Sequence, residues 1–402
     1  MTQVADQHVP TFPMQRTCPF SPPAEYGELR EATPITRALL PSGRHAWLVT
    51  RHADVRAVLT DPRFSSDRRH PDFPRLIKFP QPSLNFTPSL IGMDPPEHGP
   101  ARRAVVGEFT VKRIQALRPR IQEIVDDCID AMLAGPRPTD LVQALSLPVP
   151  SLVICELLGV PYADHEFFQS RSKLLFSRTT SPQARQVGID ELRSYLDDLV
   201  TGKEREPSED LLGRQVLRQR QTATEDHAAL VSLAFLLLIA GHETTANMIS
   251  LGTVALLENP EQLTIIRADP GKTPAAVEEL LRYFTIVDTA TSRLALEDVE
   301  LGGVHIRAGE GVIALGNAAN RDPEAFDDPD ALDVERGARH HVAFGFGAHQ
   351  CLGQNLARTE LQIVFDTLFQ RIPELRLATT VGNLPFKDDV VIYGLHALPV
   401  TW

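Results

Sequence analysis

Apolar residues recur at three- and four-residue spacing over long stretches of this chain, the mark of helices with one face turned to a core. The spacing dominates from Glu97 to Leu133 and returns in Ser151–Leu158, Ala184–Lys203, Glu225–Leu257, Thr273–Phe284 and Gln354–Phe369. Within the fourth of these, Ala228–Ala240 is apolar on every side, interrupted only by Ser232. That run is too short to span a bilayer and reads as a helix buried on most sides. Strand character is confined to short pieces: Trp47–Thr50, Val312–Leu315 and Val390–Leu395. Gly302-Gly303, between Val299-Glu300-Leu301 and Val304-His305-Ile306, predicts a hairpin. A short helix is expected over Asp54–Leu59, stopped near Pro62. Residues 1–45 are proline-rich and read as an irregular segment wrapping the surface. From Phe73 to Gly92 prolines at 74, 80, 82 and 88 interrupt a stretch without helical period. A connection so long and irregular is usually functional or mobile. With no internal repeat or low-complexity linker, the expectation is one domain over 1–402, mainly α with a smaller β-region.

Composition narrows the classes of function. The 402 residues are 43% hydrophobic, enough for a large core. A formal net charge of −12 excludes nucleic acid as a partner, because phosphate binding needs a basic footprint. Four cysteines (18, 128, 155 and 351) in so long a chain are no disulfide framework. Cys128 shares an apolar stripe with Leu117, Ile121, Ile124 and Met132, and Cys155 sits near a helix end marked by Gly159 and Pro161, so both read as core. The polar stretch Met1–Arg16 carries neither an apolar targeting core nor an anchor. A cytoplasmic monomer with no membrane association is expected.

Chemistry concentrates in Phe344-Gly345-Phe346-Gly347-Ala348-His349-Gln350-Cys351-Leu352-Gly353. An isolated cysteine in a large protein is usually a small buried hydrophobe. This one stands between glycines just ahead of a helix, where free backbone N–H groups and the helix dipole favour sulfur as a thiolate. Gly345-Phe346-Gly347 does not open a dinucleotide fingerprint, because Gln350 stands where the third glycine is needed. Phe344, Gly347, His349, Cys351 and Gly353 fit F-x-x-G-x-H-x-C-x-G, and in this the chain resembles the cytochromes P-450. The likeness runs from about Ala46 to the C-terminus. It is closest to the soluble actinomycete branch that hydroxylates macrolides and foreign compounds. It implies a triangular helical prism enclosing haem b (iron protoporphyrin IX), with Cys351 as the metal ligand and Phe344, Gly345 and Gly353 against the cofactor.

The resemblance extends to two further clusters. Ala240-Gly241-His242-Glu243-Thr244-Thr245 matches the family's [A/G]-G-x-[D/E]-T; a zinc-protease motif is excluded because Ala246 replaces the second histidine. By resemblance Gly241 leaves room for dioxygen, Thr244 hydrogen-bonds it, and Glu243 relays protons from solvent. Read from the residues alone, the segment could instead be a satisfied polar kink. Glu279-Leu280-Leu281-Arg282 matches the family's E-x-x-R pair, which a later arginine joins; Arg336 is the match here, and the role implied is structural. For the haem propionates the family's positions map onto His98, Arg102, Arg293 and His349, with His341 as a possible extra donor.

The substrate pocket implied by the resemblance involves Leu84, Phe86, Leu90, Phe235, Val287 and Ile392, an apolar set suited to a bulky lipophilic molecule. No flavin or iron–sulfur motif is present, so the resemblance implies electrons from a ferredoxin and its reductase. Some of Arg102, Arg103, Lys112 and Arg113 are expected to dock the ferredoxin, and a solvated helix face is the other reading of this cluster. The function implied is O2 activation and hydroxylation of a macrolide, polyketide, terpenoid or xenobiotic. Two other readings stay open at this point: a peroxide-driven or ring-coupling haem-thiolate enzyme, and a haem-binding sensor without turnover.

Overall fold

The computed structural model describes residues 9–76, 89–177, 179–287, 291–388 and 390–402. Thirteen α-helices occur among them: α1 Glu25–Ala32, α2 His52–Thr60, α3 His98–Val105, α4 Val111–Ala134, α5 Pro148–Leu158, α6 His165–Phe176, α7 Pro182–Arg205, α8 Leu211–Thr222, α9 His227–Glu258, α10 Pro260–Ala268, α11 Thr273–Phe284, α12 Gly316–Ala319 and α13 Gln354–Arg371. The strands are short: β1 Ile35–Leu39, β2 His45–Val49, β3 Phe64–Ser65, β4 Thr139–Asp140, β5 Ser292–Ala295, β6 Val299–Leu301, β7 Val304–Ile306, β8 Gly311–Ala314, β9 Arg376–Leu377 and β10 Pro399–Thr401.

Helix α9 is the axis of the molecule. Its 32 residues begin at Asp226, whose side chain caps the free N–H of Ala229. By length and composition it could cross a membrane. Here α5, α7, α10, α11 and α13 pack directly on it, which is where its all-round apolar surface goes. From Thr245 to Leu256 every residue is buried. One large core cluster joins this helix to α4, α5, α11 and α13, and two smaller ones flank a five-stranded sheet. That sheet has the order β1-β2-β8-β5-β3, with β2 and β8 parallel and the other pairs antiparallel. It places Arg293 on β5 opposite Val312. The hairpin predicted at Gly302-Gly303 forms from β6 and β7, with both glycines at positive φ. Cys128 and Cys155 are buried, and burial pushes their thiols up to about 11 and about 12.

Two expectations are corrected. Residues 1–45 are not irregular throughout: they hold α1 and β1, and β1 pairs with β2 over five residues from Ile35↔Val49 to Leu39↔His45. Prolines interrupt the local pattern there, and the strand is specified by its partner instead. Val390–Leu395 is no regular strand. It makes isolated bridges, Ser177↔Val390 and Val287↔Ile392, while Leu395 turns back to pair with Phe386.

Candidate functional site

The segment from Phe344 to Gly353 folds back on itself, with the N–H of Cys351 donating to the carbonyl of Phe344 at 2.8 Å. Gly345 and Gly347 take φ of +68° and +72°, where a side chain is strained. A Cβ at Gly347 would also lie 2.7 Å from the carbonyl oxygen of Leu59, so α2 presses directly on this loop. Helix α13 then starts at Gln354, and the backbone N–H groups of Gly353 and Gln354 reach the sulfur. The sulfur is accessible, yet burial pushes its thiol up against the opposing pull of Gly353, Arg102 and Arg358. An accessible but desolvated sulfur faces a space inside the protein, not bulk water.

Two adjacent glutamates on α11 anchor this region from different sides. Glu278 receives Arg358 through Nε at 2.5 Å and Nη2 at 3.0 Å, and His341 Nε2 lies 3.1 Å away. Burial would raise this carboxyl, but the hydrogen bonds from His341 and Arg358 hold it at about 2. The Arg358 guanidinium also covers the ring of Phe344 at 4.6 Å. His341 is thereby engaged with Glu278, and its Nδ1 accepts from the N–H of Ala343, so it is not the extra cofactor donor suggested by sequence. Glu279, on the next position, forms a two-point bond with Arg282 (2.8 and 2.7 Å), and both side chains are fully buried. Arg336 Nε joins the same carboxylate at 3.2 Å. The remaining Arg282 donors go to the carbonyls of Asn320, Pro329 and Ala331. The triad read from E-x-x-R is therefore assembled, and it staples 320–336 onto α11.

Cations and imidazoles converge above the cysteine loop. The rings of His98 and His349 lie against one another with centroids 4.1 Å apart, tilted by 31°. His349 is depressed to about 3 by burial and by the charges of Arg293, Arg102 and Arg68. Arg293 is 5% exposed and donates only to the neighbouring carbonyl of Ser292, among the bonds described; burial brings it down to about 10. Arg102 reaches the carbonyl of Gln350 at 2.6 Å. His98 is buried and its Nε2 has no hydrogen-bond partner among the described residues. Arg68 belongs to this group and was missed: its side chain is accessible, but burial depresses it and it acts on Arg293 and His349. No motif announces it; only the charge of the Asp67-Arg68-Arg69 run could have drawn attention.

On α9 the residues before and after Ala240 are mostly buried, and Ala240 itself is exposed. An exposed alanine midway along a core helix marks the wall of an internal space. Thr244 Oγ1 donates to the Ala240 carbonyl at 2.9 Å, and α9 continues through this point as a helix. The room expected at Gly241 serves another purpose: a Cβ there would lie 2.9 Å from Ile154 on α5. Gly241 is thus a helix-packing position, and Ala240 is the open one. His242 points the same way, buried between α9, α5 and α6 beside a cavity of about 10 Å³, with Nδ1 bonded to the Leu238 carbonyl at 2.7 Å.

Of the expected pocket residues, Leu84 and Phe86 lie outside the described residues. Leu90 is buried, Phe235 is half-buried under the guanidinium of Arg193 (5.4 Å), and Val287 and Ile392 are brought opposite one another. A cavity of about 340 Å³ between α7 and α9 is lined by Arg193, Asp197, His227 and Val231 among others. It lies eight to thirteen residues ahead of Ala240, roughly 12–20 Å along the helix, and so is not where Thr244 acts.

The donor set fits haem. A buried, unpartnered imidazole nitrogen, an arginine spending one donor on its own strand, and a second arginine beside them suit a dianionic group. The sulfur and its two N–H donors would suit a thiolate ligand to a haem iron. Fold and site together define a haem-thiolate oxygenase.

Comparison with known proteins agrees. The family described as Cytochrome P450 matches residues 272–375. Cytochrome P450 105A3 of Streptomyces carbophilus is 51% identical over 402 residues, covering 100% of this chain and 98% of that protein. Pentalenic acid synthase of Streptomyces avermitilis is 53% identical, covering 97% of each. The crystal structure of cytochrome P450 MoxA from Nonomuraea recticatena superposes with a TM-score of 0.90 at 64% identity, covering 98% of each chain. The chain belongs to the cytochrome P450 family: it is a bacterial, actinomycete-type P450 monooxygenase whose cofactor is haem b.

Proposed function

We propose that this enzyme hydroxylates a bulky lipophilic small molecule, of macrolide, polyketide, terpenoid or xenobiotic type, in the cytoplasm as a monomer. The observation that carries the reading is the open position at Ala240, with Thr244 and Glu243 one turn away. Among relatives, pentalenic acid synthase and a mycinamicin VIII methyl hydroxylase bound to its macrolide have names consistent with such substrates. Haem held by Cys351 would supply the oxygen-insertion chemistry when bound. His98, Arg102, Arg293 and His349 would hold its propionates. Thr244 would supply a hydroxyl that can leave the Ala240 carbonyl and donate into the space beside Ala240, and Glu243 would pass protons toward that hydroxyl. The presence of both residues favours O2 over peroxide as oxidant.

Electrons come from a ferredoxin and its reductase. Asn355 at the start of α13 donates to the carbonyl of Phe109 at 2.9 Å, which ties the N-terminus of α4 to the cysteine side. Lys112, Arg113, Val106 and Val111 are exposed there, a basic and apolar surface suited to an acidic ferredoxin. Arg102 is withdrawn from that surface by its bond to Gln350. A ligand screen by spectral shift, followed by product formation with ferredoxin, reductase and NAD(P)H, tests the proposal. Turnover with peroxide alone would favour the peroxide-driven reading. Binding without product under every electron supply would favour a sensor.

A further inference from the structure

No sequence motif singles out Lys387, yet it controls the acid on α9. Its ammonium contacts Glu243 Oε1 at 2.5 Å and Asn247 Oδ1 at 2.9 Å, and Asn247 Nδ2 closes on the same glutamate oxygen at 3.3 Å. The Lys387 and Glu243 side chains are only 11% and 17% exposed, so the pair is poorly screened. Burial alone would raise the Glu243 carboxyl. The Lys387 charge first, then His242, then the hydrogen bonds from Lys387 and Asn247, hold it below the usual range. A carboxylate fixed in this way is ionised and bound to a cation, and so is a poor carrier of protons.

What positions Lys387 is a hairpin that also carries Ile392, one of the residues that the family resemblance assigns to the substrate pocket. The N–H of Lys387 donates to the Gly394 carbonyl at 2.9 Å, Phe386 bridges to Leu395, and the rings of Phe386 and Tyr393 stack at 6.0 Å. Gly394 lies so close to α9 that a Cβ would fall 2.0 Å from Asn247 Oδ1, so the hairpin is clamped on the helix one turn beyond Glu243. On its other side the N–H of Tyr393 donates to the Ile286 carbonyl at 3.0 Å, and Ile392 bridges to Val287. A molecule pressing on Val287 and Ile392 therefore presses on the element that delivers Lys387.

We propose that Lys387 is a positioning residue that holds Glu243 ionised and out of the proton relay at rest, and that the segments 386–388 and 390–395 release it when a substrate presses on Val287 and Ile392. Proton delivery then follows substrate binding, and reducing power is not lost as peroxide in an empty pocket. The inference rests on the reading of Glu243 as a proton relay. The groups facing Glu243 in the structure are Lys387, Asn247 and His242.

The holoenzyme and its Lys387→Met, Lys387→Arg, Glu243→Gln and Lys387→Met/Glu243→Gln variants test it by two readouts. The first is Tm against pH. With Lys387 removed, burial dominates and Glu243 becomes hard to ionise, so Lys387→Met loses ground as pH rises. Its Tm deficit should widen by about 2 °C from about pH 5 to about pH 8. In the Glu243→Gln background the deficit should be independent of pH. The second is reoxidation of chemically reduced holoenzyme in oxygenated buffer without substrate. Lys387→Met should reoxidise about tenfold faster with a larger solvent isotope effect, and Lys387→Arg should restore the wild-type rate. If Glu243→Gln leaves the coupling of electrons to product unchanged in turnover, the relay reading and this inference both fail. If Glu243→Gln uncouples but Lys387→Met reoxidises as wild type, or its deficit does not change with pH, the relay stands and the gate is overturned.

Discussion

The two sides of the cofactor site are built on opposite plans. On the cysteine side, neighbouring carboxylates on α11 are each tied to two or more cationic or imidazole side chains: Glu278 to Arg358 and His341, Glu279 to Arg282 and Arg336. Backbone groups on both sides of the cysteine loop are committed as well. On the α9 side the reactive groups are held by one or two contacts each. Thr244 has its bond to the Ala240 carbonyl, and Glu243 has Lys387 and Asn247. The contrast follows from the work. A thiolate must stay at one distance and one charge, whereas a hydroxyl and a carboxyl that hand on protons must let go of their partners. Buried ion networks resist rearrangement because a stranded charge is costly, a neutral hydrogen bond such as that of Thr244 is exchanged at about 1 kcal/mol, and the lone Lys387–Glu243 pair lies between the two.

If that contrast is right, damage on the cysteine side should appear as lost structure. Glu279→Ala leaves Arg282 buried without its carboxylate, and the expected loss is about 3–5 kcal/mol. Denaturant unfolding should show it, together with poor retention of haem. Glu278→Gln should cost less and change the pH response. The Glu278 carboxyl is held at about 2 against an ordinary 4.5, so its ion pairing stabilises the fold fully above about pH 4.5 and is lost as pH falls toward 2. Wild type should therefore lose up to about 3 kcal/mol relative to Glu278→Gln across that window, read as converging acid-unfolding curves.

On the α9 side a change at Thr244 should barely register in stability. Thr244→Ala removes a hydroxyl bonded to its own helix, and its cost should stay within about 1 kcal/mol. The expected effect is on coupling: electrons consumed per product rise, and peroxide appears. Unchanged coupling would refute the role given to Thr244. Smallest of all is His227, at the start of α9, which bridges Asp197 at 2.9 Å and Glu204 at 3.0 Å on α7. Those carboxylates raise it, so its contribution is complete below about pH 6.5 and fades as pH climbs past the raised value. All three groups are well exposed, and His227→Asn should cost under ~1 kcal/mol, with the difference vanishing in alkaline buffer.

The same division separates what sequence reveals from what it hides. The cysteine side is legible because its parts are close along the chain: Cys351 within ten residues of Phe344, and Glu279 three from Arg282. Helix α11, with its clean periodicity, and α9, with its long apolar run, are legible for the same local reason. The α9 side depends on contacts between distant segments. Lys387 meets Glu243 across 144 residues, and neither its hairpin nor the inward turn of Arg68 has a local signature. Gly241 shows the limit of motif reading, since its missing side chain makes way for Ile154 on another helix. Helices α6, α8 and α10 escape a search for apolar periodicity because much of each surface is polar, and tertiary packing decides them.

The most direct test of the whole account is the reduced carbon-monoxide spectrum of haem-loaded wild type beside Cys351→Ser. A sulfur held by the N–H groups of Gly353 and Gln354 should give wild type the strongly red-shifted band of thiolate ligation, and Cys351→Ser should lose it. A wild-type spectrum typical of histidine-ligated haem, or the red-shifted band persisting in Cys351→Ser, would contradict it.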